Sequence, residues 1–281
     1  MQNTSLFDTH AHYDHILFHD TGPETVDRLY NSGVLSGVVI PAISYESNFH
    51  HDMFPVDKFP YVFFAAGIHP KYAMNMPFWS DGGDGKAKQD QFLRLLDDKR
   101  TVAIKSGLDH AKKKLQNIQL QRQRDFFRYM IRLANAHQLP MVLHIRDAVE
   151  DALEILHENP LEVEAVVHCY TYGPDELSRF VEAGVNYFGI GGMLTRDEMG
   201  ELREAVKILP LDRILLETDS PLVKPKGFHG ELNTSEKLIE TAELIAELKD
   251  VPVERVIEAV EKNAREFYGG YRYRKKQWCG V

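Results

Sequence analysis

Short apolar runs alternate along the chain with longer stretches in which apolar residues recur every three or four positions. The runs lie at 5–9 (SLFDT), 37–42 (GVVIPA), 61–67 (YVFFAAG), 101–106 (TVAIKS), 141–145 (MVLHI), 164–169 (EAVVHC), 186–190 (NYFGI) and 213–218 (RILLET). Most are continuous in Val, Ile, Leu or Phe, the pattern of parallel strands covered on both faces. Amphipathic segments near 24–32, 45–54, 89–98, 116–138, 147–158, 174–183, 197–207 and 234–248 separate or follow them, and a further one covers 252–267. Pro174 and Pro252 each open such a segment, where a missing N–H costs nothing. Eight strand–helix pairs with a C-terminal helix predict an α/β fold, a TIM-type (β/α)8 barrel; an open doubly wound sheet is the competing arrangement. The 281 residues suit one such barrel, so a single domain over 1–281 is expected.

Two loops exceed what a connection needs. Residues 71–88 (KYAMNMPFWSDGGDGKAK) and 220–233 (SPLVKPKGFHGELN) both follow strands, which in a barrel puts them on the catalytic face, as a rim over substrate or as plain surface insertions. The tail 271–281 carries four basic residues and no acidic one; as a terminus it reads as a solvated end before a recognition element.

Composition narrows the function classes. The net charge of -9 argues against a protein that coats DNA with its whole surface, but leaves room for a local basic strip. Cys169 and Cys279 are the two cysteines, which support neither a disulfide framework nor a thiolate zinc cluster. The start MQNTSLFDTHAH lacks the basic and apolar parts of a signal peptide, and no apolar run approaches the roughly 20 residues that span a bilayer. A cytoplasmic protein with no membrane partner is expected.

Titratable residues gather at the strand ends. His10 and His12 follow the first strand, His69 the third, His144 and His168 lie inside the fifth and sixth, and Asp219 follows the eighth. Any one of them would read as a hydrogen-bonded structural residue. Together, in otherwise apolar strands where unpaired polar groups are costly, they point to a metal centre, since neutral imidazoles suit zinc, manganese or iron. His15, His19, His50, His51, His110, His137, His157 and His229 lack that placement and stay outside the ligand set, although His110 and His229 lie where substrate could be approached.

The segments FDTHAHYD (7–14), GIHP (67–70), GLD (107–109), LHIR (143–146), VHCYTYG (167–173) and LLETDSP (215–221) stand in order along the chain. Over residues 6 to about 268 the sequence resembles the TatD family of metal-dependent deoxyribonucleases in the amidohydrolase superfamily. The resemblance implies that His10, His12 and Asp219 hold one metal and His144 and His168 a second. It places His69 and Arg146 near the substrate phosphate, where the planar guanidinium fork suits phosphate oxygens; a loop-steadying ion pair is the alternative for Arg146. Asn263 matches a family position with a structural role. Asp219 would both ligate and accept a proton from water. The imidazole-rich set favours zinc or manganese ahead of magnesium, as one or two ions.

Residue 105 departs from the pattern. Family members usually carry a glutamate two residues before the GLD segment, bridging the metals, where this chain has Lys105. An ammonium between two cations is electrostatically hostile. Three outcomes follow: Lys105 is carbamylated and bridges as a carboxylate-like anion, as in lysine-bridged relatives of the superfamily; Lys105 stays an ammonium beside a single metal and assists catalysis; or the barrel is a non-catalytic binding protein. The substrate is correspondingly DNA or another phosphoester, or, through the kinship with lysine-bridged enzymes, a lactone, phosphotriester or cyclic amide. Residues 112–132 carry seven Lys/Arg against Asp125 alone, an excess that attracts a phosphate backbone unless it is merely a solvated helix face. Tyr72, Phe78, Trp79, Tyr170 and Tyr172 are expected to supply aromatic surfaces on loops near the mouth, some of them for stacking bases or, equally, as the wall of a small lactone or amide pocket.

Overall fold

The computed structural model describes residues 5–79, 84–111 and 114–278, with side chains as far as Gly269. Eight parallel strands follow one another in sequence order: β1 (Leu6–Asp8), β2 (Leu35–Pro41), β3 (Val62–Gly67), β4 (Thr101–Asp109), β5 (Met141–Arg146), β6 (Ala165–His168), β7 (Tyr187–Ile190) and β8 (Ile214–Leu216). A doubly wound sheet would reverse its strand order midway, so the barrel is the arrangement formed. Around it lie α1 (Gly22–Asn31), α2 (Pro70–Ala73), α3 (Gly85–Leu95), α4 (Asn117–His137), α5 (Val149–Glu158), α6 (Pro174–Glu182), α7 (Gly200–Ile208), α8 (Leu238–Lys249) and α9 (Val253–Trp278). None of the described helices is long and apolar enough to cross a membrane.

Three expectations need correcting. The segment at 45–54 forms 3-10 turns over Glu46–Met53 and not an α-helix, because side chains compete for its backbone. Asn48 Nδ2 donates to the carbonyls of Ser44, Tyr45 and Gly67, and Ser47 Oγ accepts from the amides of Ile43 and Ser44. α9 continues well past the expected end at 267. β4 runs on to Asp109, which brings the GLD segment into the sheet. The tail residues 279–281 lie outside the described residues, as do Ser80 to Gly83 of the first long loop.

The barrel interior explains where the site sits. Phe7, Val39, Ala65, Ala103, Val142, Val166 and Leu215, from seven strands, form one buried apolar cluster with Ala264, Phe267 and Tyr268 of α9. That helix therefore plugs the N-terminal end. Strand side chains alternate with period two, so the next inward positions toward the C-terminal end are Thr9, Pro41, Gly67, Lys105, His144, His168 and Glu217. An apolar layer below thus carries a polar layer above it.

β1 and β8 are three residues each, and the seam between them closes mainly beyond the strand ends. Thr9 N donates to Leu216 O (3.0 Å), Asp219 N to His10 O (2.8 Å) and His12 N to Ser220 O (2.8 Å). Beneath these bonds the buried Asp8 carboxylate accepts from Thr218 Oγ1 (2.6 Å), Ser235 Oγ (2.6 Å), Thr218 N (3.1 Å) and His10 N (3.2 Å). Burial pushes its pKa up to about 7 against the pull of those four bonds. Asp8→Ala would leave the donors buried without an acceptor, and urea unfolding is expected to show a loss of about 2–3 kcal/mol.

Candidate metal centre

Three strand ends turn sharply at residues with positive φ: Asp147 (52°) after β5, Cys169 (48°) after β6 and Asp219 (49°) after β8. Such backbone costs of order 1–3 kcal/mol for a residue with a Cβ and persists where surroundings enforce it. Here each turn directly follows Arg146, His168 or the Glu217-Thr218 pair, and Asp219 is itself one of the turn residues.

The polar layer converges. Asp219 Oδ1 lies 3.4 Å from His12 Nε2 and 3.8 Å from His10 Nε2. The His10 and His168 rings stack at 3.5 Å between centroids. Lys105, 1% exposed, places Nζ 3.0 Å from His10 Nε2. His168 Nδ1 donates to Glu217 Oε1 (2.9 Å), which also accepts from Cys169 N (2.6 Å). With its proton held on Nδ1, His168 presents a lone pair on Nε2, the arrangement that orients and enriches a metal-binding imidazole. Gly189 makes room for this carboxylate, since a Cβ there would meet Glu217 Oε2 at 2.2 Å.

Three donor groups could each hold a cation: His10, His12 and Asp219; His10, His168 and Glu217; and His69, Asp109 and His144. Hydrogen bonding separates His69 from the rest. Its Nδ1 accepts from Lys71 N at 3.1 Å as the cap of α2, so in the neutral ring the proton sits on Nε2, a donor and not a ligand. Its ring lies 4.1 Å from that of His144. His144 Nε2 is 3.5 Å from Asp109 Oδ2, and Gln123 fixes Asp109 by bonding both its amide (2.8 Å) and its carbonyl (3.0 Å). Arg146, exposed at the end of β5, stands opposite Asp109 in register.

The electrostatics suit metal donors. Burial, with neighbouring cationic groups, lowers His10, His12 and His69, and lowers His144 to about 4. The imidazoles are thereby kept neutral, the state that binds metal. Burial would raise Asp219, but the His12 hydrogen bond and the nearby charge of Lys105 hold it well below the usual carboxylate range. His144 Nε2 is buried with no hydrogen-bond partner among the described residues, and such an orphan costs about 1–3 kcal/mol unless a ligand satisfies it; His10 and His12 bring their Nε2 atoms to Asp219. The donor set fits divalent metal. Lys105 is the misfit, and burial lowers its pKa to about 8 against the pull of Asp219 and Glu217.

A family model described as TatD related DNase matches residues 7–269. The chain belongs to the TatD family. It is 32% identical over 272 residues to the uncharacterized metal-dependent hydrolase YabD of Bacillus subtilis (strain 168), covering 94% of this chain and 98% of that one. It is 28% identical to the metal-dependent hydrolase YcfH of Escherichia coli (strain K12), covering 94% and 96%. The crystal structure of YjjV, a TatD homolog from Escherichia coli K12, superposes with a TM-score of 0.79 at 25% identity, covering 96% of this chain and 99% of that one. This TatD family member is a metal-dependent hydrolase, and divalent metal is its cofactor.

Several expected substrate contacts are corrected by the structure. Trp79 and Tyr170 are core residues, 3% and 2% exposed. Phe78 packs with Trp79's neighbours Phe126 and Tyr129, and Tyr172 Oη bonds Ile145 O at 3.0 Å. Tyr72, 46% exposed, keeps an open ring. The basic stretch is partly neutralised: Arg124 pairs with Asp151 (2.8 Å) and Glu154 (2.7 Å), and Arg128 with Glu158 (2.8 Å), all three acids on α5. Phe127 and Ile131 are buried beneath it. Lys112 and Lys113 lie outside the described residues, and Lys114 is exposed. His110 turns toward α5, its Nε2 4.0 Å from Asp151. The loop at 220–233 is tied to the segment after β7 by Lys226 N to Thr195 Oγ1 (2.7 Å) and Lys226 Nζ to Asp197 (2.6 Å), forming an ordered rim. Asn263 has the structural part expected of it, donating to Leu211 O (2.7 Å) and Ile214 O (2.8 Å).

Proposed function

We propose that this chain hydrolyses phosphodiester bonds in DNA at the C-terminal mouth of the barrel. In this reading His10, His12 and Asp219 hold one divalent ion, His144 and His168 hold a second, and a carbamate on Lys105 bridges them. The observation that carries it is a buried lysine amine 3.0 Å from His10 Nε2, among the strand-end histidines of the candidate metal centre. The family's description as a related DNase supports the substrate class. Zinc or manganese suits the imidazole-rich donors better than magnesium.

When bound, the metal acts as a Lewis acid that activates water and polarises the phosphoryl oxygen. The chain's own residues do the rest. Asp219, held anionic, accepts the proton of the attacking water. His69 donates from Nε2 to a phosphate oxygen, and Arg146 offers its two-pronged fork to the same group. Glu217 keeps His168 in the ligating tautomer. Burial lowers the Lys105 pKa to about 8, so its amine gives up its proton more readily than that of an ordinary lysine. The neutral amine attacks the carbon of carbon dioxide, forming one C–N bond and releasing one proton, and leaves the anion that two cations require.

The same 3.0 Å contact favours one other reading, in which an unmodified ammonium occupies the His10 lone pair and leaves a mononuclear site. Substrate class is tested with metal-reconstituted protein on single-stranded DNA and on neutral lactones, at rising salt. DNA turnover that falls steeply with salt is expected. Lactone hydrolysis indifferent to salt, with DNA untouched, would overturn the DNA reading; no hydrolysis of either, with partner capture unaffected by substitution of His10, His12 or Asp219, would mark a binding protein.

A further inference from the structure

A cavity of about 360 Å³ opens between the segment after β2 and the segment after β3, and is lined by Ser44, Glu46, Lys71, Tyr72, Met74 and Met76 among others. Its size falls within the roughly 300–1,000 Å³ of small-molecule sites. Both segments leave the C-terminal ends of their strands, and they are tied together by the His69 amide, which bonds Ile43 O at 2.8 Å, while the Tyr72 amide bonds His69 O at 2.8 Å. His69, which faces His144 across 4.1 Å, caps the α2 turn that carries the cavity-lining Lys71 and Tyr72 and so links the cavity to the metal centre through one turn of chain.

Resting on the DNA reading above, we infer that this cavity is a nucleobase subsite, taking the base of the nucleotide next to the scissile phosphate. Tyr72 presents an open aromatic face, 46% exposed on the short α2 helix, and the two methionines supply soft apolar surface against a base edge. Glu46 sets the chemistry of the occupant. A carboxylate only accepts hydrogen bonds, so it suits the exocyclic amine of adenine, cytosine or guanine and repels a phosphate. The anionic backbone is thereby directed outward, toward the exposed Lys71, while the base turns inward. Base stacking on an aromatic side chain is tolerant of sequence, so the subsite grips a strand without reading it closely.

The test is equilibrium binding of a trinucleotide carrying 2-aminopurine, followed by fluorescence quenching on the manganese-loaded full chain. Wild type and Tyr72→Phe are expected to quench with similar affinity, and Tyr72→Ala to bind about tenfold more weakly. A trinucleotide with an abasic residue at the probe position is expected to compete poorly. Equal affinity in Tyr72→Ala, or full competition by the abasic strand, would overturn the subsite. Matched melting temperatures of the variants exclude misfolding as the cause. Cleavage of the same strand is scored separately: quenching without cleavage upholds the subsite and counts against DNA hydrolysis, whereas cleavage with affinity independent of Tyr72 counts against the subsite alone.

Discussion

Asp219→Asn is expected to lower kcat by about a thousandfold, equivalent to about 4 kcal/mol of transition-state stabilisation, while KM for DNA changes only a few-fold. The substitution keeps the shape of a side chain that sits 3.4 Å from His12 Nε2, but removes the charge proposed to ligate metal and the base proposed to receive a proton. DNA contacts assigned to His69 and Arg146 are untouched. Steady-state kinetics, with metal content measured on the same samples, separate the two quantities. A rise in KM at constant kcat would mean that Asp219 holds substrate and takes no part in chemistry.

Replacement of Lys105 carries the second large effect. Lys105→Met preserves length and burial without offering an anion, and turnover is expected to fall by about a thousandfold or more. Lys105→Glu installs a permanent carboxylate at the same β4 position. It is expected to retain a substantial part of the activity and to be indifferent to bicarbonate during metal reconstitution, whereas the wild-type chain regains full turnover only when bicarbonate is present. Wild-type turnover equal with and without bicarbonate would favour the unmodified ammonium.

The barrel was legible because both faces of each strand are covered, which writes eight apolar runs separated by amphipathic helices into the sequence. The strand-end histidines were legible for the same reason, as polar residues intruding on apolar runs. Glu217 and Asp109 were not singled out, although both lie in segments read as motifs. Strand parity would have found them: Glu217 is two residues beyond the inward-facing Leu215, and Asp109 shares the parity of Lys105 through a strand that proved longer than its apolar run. The 45–54 helix was misread because its amphipathic spacing is real, while Asn48 and Ser47 spend their side chains on the backbone. Aromatic residues near the mouth were over-assigned to substrate, since sequence cannot tell a Trp79 packed under a loop from a Tyr72 left open. The basic stretch misled in part because its counter-charges lie on α5, some thirty residues away in sequence, as in the 30-residue separation of Arg124 and Glu154.

The central claim, a bridging anion built on Lys105, is tested most directly by an anomalous-scattering map of manganese-loaded crystals grown with bicarbonate. Two metal peaks flanking Lys105, with planar density extending beyond Nζ, are predicted; a single peak beside a bare Nζ would contradict the carbamate and leave a one-metal enzyme.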